Sequence, residues 1–391
     1  MKKYLTYSTI SILAFLLLCR CKDKYAPPVI QSNLNYLVVD GLLVNGADST
    51  IIRLSRTKPL DENTATAGEQ NAQMTVEDAE GNTLYNFTPV NNKGLYAVPG
   101  MNLDITKKYH LRINTTDGNQ YVSDDVVIKN TPAIDSISWQ QNADGVTIYA
   151  NTHDPQNSTI YYRWDYTETW DFHTTYYSVV KYNPGGITFN DMFPSRNADE
   201  YVYHCWKTFN SNQILSASTS NLSEDRVSLY PIRVIPRNAI EINSIYSILV
   251  RQYALTEEAY KYFLNLKRIS EQTGSIFDAQ PSELESNIHC INNPAQRVIG
   301  FLTGSSIQQQ RIFIKNEQVE PWNYYLYCPP KRKVPLIEDS IKYFFGGAAP
   351  LLTPIEEVYD PFFSGVNGGE PACSDCTSTG GVNKKPAFWP Y

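Results

Sequence analysis

From residue 36 onward the chain is a succession of short runs rich in β-branched and aromatic residues, each closed by turn-forming residues. Runs at 36–44, 50–56, 74–77, 83–87, 94–98, 109–114 and 121–128 follow one another within a hundred residues. Asp78-Ala79-Glu80-Gly81-Asn82 and Thr116-Asp117-Gly118-Asn119 read as hairpin turns, with glycine where positive φ is needed. This rhythm predicts an immunoglobulin-like β-sandwich over residues 35–130. Thr131-Pro132 marks the boundary, because proline suits a linker better than a central strand.

A second β-rich unit is expected over 131–391. Its runs at 134–139, 146–151, 159–170, 227–234 and 245–254 are similar to a fibronectin type III domain. The stretch 172–221 is too long for a hairpin connection and reads as an insertion; it holds Tyr176, Tyr177, Tyr182, Phe189, Phe193, Tyr201, Tyr203 and Trp206. One helix is predicted over 256–273. Thr256 can cap it, Glu257 and Glu258 suit its positive end, and Ala259, Tyr262, Phe263, Leu266 and Ile269 give it one apolar face. Further runs at 298–303 and 311–314 precede a Pro- and Gly-rich tail. The expected fold class is mainly β with some α, ending in a mixed α/β C-terminal part.

The N-terminus bears on compartment. Lys2 and Lys3 precede an apolar stretch from Ile10 to Leu18, shorter than the roughly 20 residues a membrane-crossing helix requires but suited to a secretory signal. The stretch runs into Leu18-Cys19-Arg20-Cys21. Leucine three residues before a cysteine resembles a bacterial lipobox, so residues 1–20 are expected to be a lipoprotein signal peptide and Cys21 the acylated first mature residue. Cys19 has Leu16 at the same spacing and is the alternative. Residues 21–34 then read as a polar tether. Two acyl chains suffice for stable anchoring, where one would be marginal. The expectation from these residues is an exported, lipid-anchored protein.

Charge narrows the partners. Loss of residues 1–20, which carry Lys2, Lys3, Arg20 and no acid, moves the formal charge from −7 to −10. An acidic body with no basic block offers nucleic acid no electrostatic footprint. Catalytic motifs are likewise missing from the sequence. His110, His153, His173, His204 and His289 are scattered, and no HExxH or GxSxG is present. Gly346-Gly347 and Gly368-Gly369 follow no strand–helix pattern that would cradle phosphate, so neither cofactor nor metal is expected.

The cysteines left after export, Cys205, Cys290, Cys328, Cys373 and Cys376, are disulfide candidates in an oxidising compartment. Five is odd, so one thiol stays unpaired within the chain. Cys328 is expected to pair with Cys373 or Cys376, closing a loop that contributes about 4 kcal/mol in the chain-entropy model. Cys205 with Cys290 is the other natural pair. Zinc at the CxxC would need further ligands at matching spacing, which the sequence lacks.

An aromatic row, Tyr162, Trp164, Tyr166 and Trp170, shares one face if 159–170 is a strand. Such rings serve either as sandwich core or as contacts to a ligand or partner, core being the commoner fate.

The assembled pattern resembles the domain of unknown function 4249 family of Bacteroidota outer-membrane lipoproteins. Its carriers are Cys21 with Tyr25-Ala26-Pro27, Tyr161-Tyr162-Arg163-Trp164, Glu168-Thr169-Trp170 and Cys205-Trp206. They continue through Ala259-Tyr260-Lys261-Tyr262-Phe263, Gly274 to Pro281, Asn287-Ile288 and Gly300-Phe301, and end with Cys373-Ser374-Asp375-Cys376 to Trp389. The resemblance implies a surface lipoprotein often encoded beside a TonB-dependent outer-membrane transporter. The expected function is non-enzymatic: ligand binding, or an accessory role on such a β-barrel. A structural or adhesive surface protein is the alternative.

Overall fold

A computed structural model describes residues 35–58, 68–271, 284–319, 321–360 and 362–390. The expected signal peptide, Cys19, Cys21 and the tether lie outside the described residues.

The first sandwich forms where the strand rhythm places it. One sheet sets Leu37–Asn45 against Thr50–Arg56, followed by Leu95–Val98 and Thr88–Asn91. The other centres on Lys108–Asn114, flanked by Gln73–Asp78, Gln120–Ser123 and Val126–Lys129. Alternation turns Leu37, Val39, Ile52 and Leu54 inward from one sheet and Val76, Leu111, Ile113 and Tyr121 from the other. Each such side chain contributes roughly 1.5–3 kcal/mol by burial. The predicted turns hold, with Gly81 at φ 85° and Gly118 at φ 84°. In the first, the Asp78 carboxylate accepts the backbone N–H groups of Glu80 and Asn82.

Residues 35–130 do not complete this sandwich. Ile288–Cys290 pairs antiparallel with Gln120–Ser123, and Val298–Ile299 runs parallel to the start of Leu37–Asn45. The strand Thr303–Lys315 then serves two sheets in turn. Thr303 to Ser306 lie parallel to Leu42 to Asn45, while Ile307 to Lys315 pair antiparallel with Ile245 to Tyr253 of the second sandwich. The division at residue 131 is therefore crossed by a return of the chain, because parallel pairing requires a long crossover.

In the second sandwich, Ile134–Asn142, Gly145–His153 and Arg226–Pro236 form one sheet. The facing sheet is built on Tyr161–His173, which pairs with Ile245–Leu255 along one edge and with His204–Asn210 and Leu215–Ser218 along the other. The predicted helix follows as Glu257–Glu271. Thr256 Oγ1 accepts the Ala259 N–H at 3.2 Å, and Ala259 and Tyr262 are buried beneath the helix. The last two positions of the predicted 256–273 span lie outside the described residues.

The insertion and the tail together make a third unit. Val180 and Phe193 of the insertion share a small core with Val334, Ile341, Phe345 and Val366 of the tail. The tail supplies a three-stranded sheet, Arg332–Pro335, Phe363–Gly369 and Thr353–Asp360, and the helix Glu338–Phe345. Backbone bonds join the two segments: Tyr176 N–H to Cys373 O at 2.8 Å, Val179 N–H to Ile355 O at 2.7 Å and Cys376 N–H to Val202 O at 2.8 Å. The length of the insertion and the irregularity of the tail thus have one explanation. Each is half of a module.

Candidate functional site

The aromatic row is core, the commoner of its two expected fates, which corrects the other reading, that Tyr162, Trp164, Tyr166 and Trp170 contact a ligand or partner. They share the face of Tyr161–His173 that the opposite sheet covers, and none is more than 5% exposed. Tyr162 Oη donates to Asp225 at 3.1 Å, and Trp164 Nε1 donates to Gln252 at 2.8 Å. The Trp164 ring stacks on Tyr230 at 4.5 Å. Burial, reinforced by the Asp225 carboxylate, pushes the Tyr162 phenol above its ordinary range.

The cysteines pair differently from expectation in one respect. Cys328 bonds Cys373, resolving the choice left open for it, and Cys205 bonds Cys376. The Cys205–Cys290 pair does not form. Cys290 sits buried and free in the first sandwich, whereas Cys205 belongs to His204–Asn210 in the second. The CxxC is consequently shared between two bridges, one reaching the segment before the tail sheet and the other reaching the second sandwich. No group of three or more His, Cys, Asp or Glu side chains able to hold a metal occurs among the described residues.

Where the insertion leaves the second sandwich, its rings form a continuous chain of stacked, tilted and edge-on contacts. Trp206 lies 4.2 Å from His204, His204 lies 4.0 Å from His173, and His173 lies 5.0 Å from Tyr203. Tyr203 meets Tyr177 at 5.2 Å, and Tyr177 meets Tyr201 at 5.4 Å. Asp171 anchors the chain of rings by accepting from His204 Nε2 at 3.0 Å. Burial alone would raise the Asp171 carboxyl, but hydrogen bonds from His204, the Ile245 backbone and Ser244 hold it below its usual value. Burial and the neighbouring His204 lower His173. Asp171–His204 has the composition of a catalytic pair. Yet its ring is held between Trp206 and His173, and no hydroxyl or thiol among the described residues hydrogen-bonds to it.

Exposure, rather than motif, singles out the module. Among the described residues nine phenylalanine and tyrosine side chains are strongly exposed, and all of them lie in the insertion or the tail. Phe362 is 98% exposed and Tyr325 79%, with Tyr327, Tyr343 and Tyr359 above 60%. Large exposed aromatic surfaces of this kind are the usual anchors of protein interfaces. Tyr325, Leu326 and Tyr327 stand on a segment pinned at both ends. Trp322 is buried with its Nε1 donating to Ala239 O at 2.9 Å, and Cys328 is fixed by its disulfide. In the sequence the insertion's rings and the buried row look alike as contact candidates. Only three-dimensional burial separates the two.

A family model described as a domain of unknown function (DUF4249) matches residues 22–311, well over half of the chain. The chain belongs to this family. The match stops within the strand Thr303–Lys315, so the tail half of the module, included in the resemblance read from the sequence, lies beyond it. No curated protein matches this DUF4249 chain. Among solved structures, a trypsin-activated alpha-2-macroglobulin from Escherichia coli is similar over 57% of this chain and 15% of its own, at 11% identity and a TM-score of 0.19. A biofilm-associated protein, BSP domain, is similar over 74% of this chain and 62% of its own, at 7% identity and a TM-score of 0.13. The DUF4249 chain thus spans less than two thirds of either, and likenesses so slight carry no argument.

Proposed function

We propose that this DUF4249 chain is a non-enzymatic binding or accessory lipoprotein, anchored in the outer membrane through acylated Cys21 and docked on a TonB-dependent β-barrel transporter at the cell surface. The observation that carries the reading is the concentration of exposed aromatic side chains on the stapled module. Interfaces draw their affinity from a few large rings such as these, and two disulfides hold the segments that bear them in place before any partner arrives. The absence of nucleophile, metal-ligand and phosphate-loop motifs from the sequence supports a binding role over a catalytic one. The lipid anchor follows from Leu18 and Cys21 and the apolar run before them.

The test is recovery of the tagged native protein from detergent extracts, with a photo-crosslinking residue placed at Tyr327 or Tyr343. The expected result is a covalent adduct to an outer-membrane β-barrel. Recovery of the chain alone, at natural abundance and from both positions, would favour the structural or adhesive reading. Mass spectrometry of the native N-terminus checks the anchor separately, with a diacylated cysteine as the first residue.

A further inference from the structure

We propose that the cleft between the insertion and the tail of the stapled module binds a small carboxylate with an apolar or aromatic body, the carboxyl group held by Arg196. The inference rests on the binding reading only in assigning the chain a ligand, and it does not require the transporter.

Arg196 follows the bridge between Val180 and Ser195, and its guanidinium is already locked in plane. Nε donates to Ser178 Oγ at 3.0 Å and to Val180 O at 3.1 Å, and Nη1 donates to Glu200 O at 3.1 Å. All three acceptors are neutral oxygens. Nη2 makes no hydrogen bond, and no carboxylate among the described residues forms an ion pair with this half-buried cation. Burial lowers the basicity of Arg196, with Asp375 and Glu200 only partly opposing it. Asp375, the acid of the cleft wall, turns its Oδ1 toward the Thr377 N–H at 2.8 Å. A partly desolvated charge whose nearby carboxylates form no ion pair with it is costly, and a planar guanidinium with an unused Nη2 is shaped for a carboxylate.

The cavity beside Arg196 has a volume of about 490 Å³, within the range of small-molecule sites. Tyr182, Phe345, Pro350 and Leu352 supply apolar wall, and Lys181 and Lys342 line it as well. Both lysines are already paired, Lys181 with Glu200 and Lys342 with Glu338. Each lysine's charge is thus met by a carboxylate, which leaves Arg196 as the lining cation with no ion pair among the described residues and suits one carboxylate better than a phosphate dianion. The apolar wall then selects the body of the ligand.

Benzoate is a direct probe. The disulfide-intact mature chain should bind it saturably at one site at concentrations up to about 10 mM, without displacement by equimolar inorganic phosphate. Calorimetry and thermal shift both read this. Arg196→Gln should weaken binding about tenfold or more. Because Arg196 also ties Ser178, Val180 and Glu200 together, two variants at exposed positions guard against misfolding. Pro350→Trp, which puts an indole into the cleft lining, should abolish binding, and Lys342→Ala should weaken it by about twofold to threefold. Linear, non-saturating uptake, displacement by phosphate, or benzoate affinity unchanged in Pro350→Trp would overturn the assignment. None of these outcomes bears on the crosslinking result, so the two readings fail separately.

Discussion

The first sandwich gathers twenty-three buried hydrophobic side chains into one core and has no disulfide; the stapled module gathers six and has Cys328–Cys373 within it and Cys205–Cys376 at its root. Among the described residues the sandwich shows no strongly exposed phenylalanine or tyrosine, whereas the insertion and tail show nine. The contrast is physical. A unit that buries its apolar residues is held by solvent exclusion. A unit that displays them must be held by something else, and here covalent links take that part. Small units with thin cores commonly need such staples.

The largest expected effect follows from this division. Replacing Cys328 and Cys373 by serine should destabilise the module by about 4 kcal/mol in the chain-entropy model. Hydrogen exchange should show lost protection across 328–373 with little change across 37–129. Equal loss in both regions would break the comparison. Leu111→Ala should produce the reverse pattern. It opens a cavity in the larger core, costs about 3 kcal/mol, and should leave reduction of the module's disulfides unchanged.

A smaller effect depends on pH. Asp154 accepts from the backbone of Gln156, Ser158 and Thr159 and from the Ser158 hydroxyl, closing the turn before Tyr161–His173. Burial opposes ionisation, but these bonds prevail and lower its carboxyl from 3.8 to about 2. The folded state binds the proton more weakly than the unfolded chain, so the stabilisation is complete above about pH 4 and is lost as pH falls toward 2. Asp154→Asn should therefore cost about 1–2 kcal/mol at neutral pH and almost nothing near pH 2. The smallest effect sharpens the comparison most. Tyr327→Ala or Tyr343→Ala should change stability by less than about 0.5 kcal/mol while reducing capture of the partner. A large loss of stability from either would mean that these rings support the fold instead.

What was legible in the sequence was local. Gly81 and Gly118 announce their turns because the chain reverses within four residues, and Thr256 with Glu257 announces its helix because capping acts within one turn. The alternation that puts Tyr162, Trp164 and Tyr166 on one face was also readable. Whether that face met water was not, because the sheet that covers it includes Arg226–Pro236, far along the chain. Cys205 and Cys376 are 171 residues apart, and no local signal distinguishes Cys376 from Cys290 as the partner. Arg196 carries no sequence signature at all. Its significance comes from acceptors on either side of a β-bridge and a wall contributed by the tail.

The strand Thr303–Lys315 imposes an order of events on any delivery of the chain from its beginning. Until residue 306 has emerged, the edge formed by Leu42 to Asn45 lacks the neighbour that completes it, and Gln120–Ser123 waits likewise for Ile288–Cys290. A nascent or translocating chain must therefore carry open, pairing-competent edges through more than 160 further residues, a span in which escorting factors or rapid transit would matter for its survival.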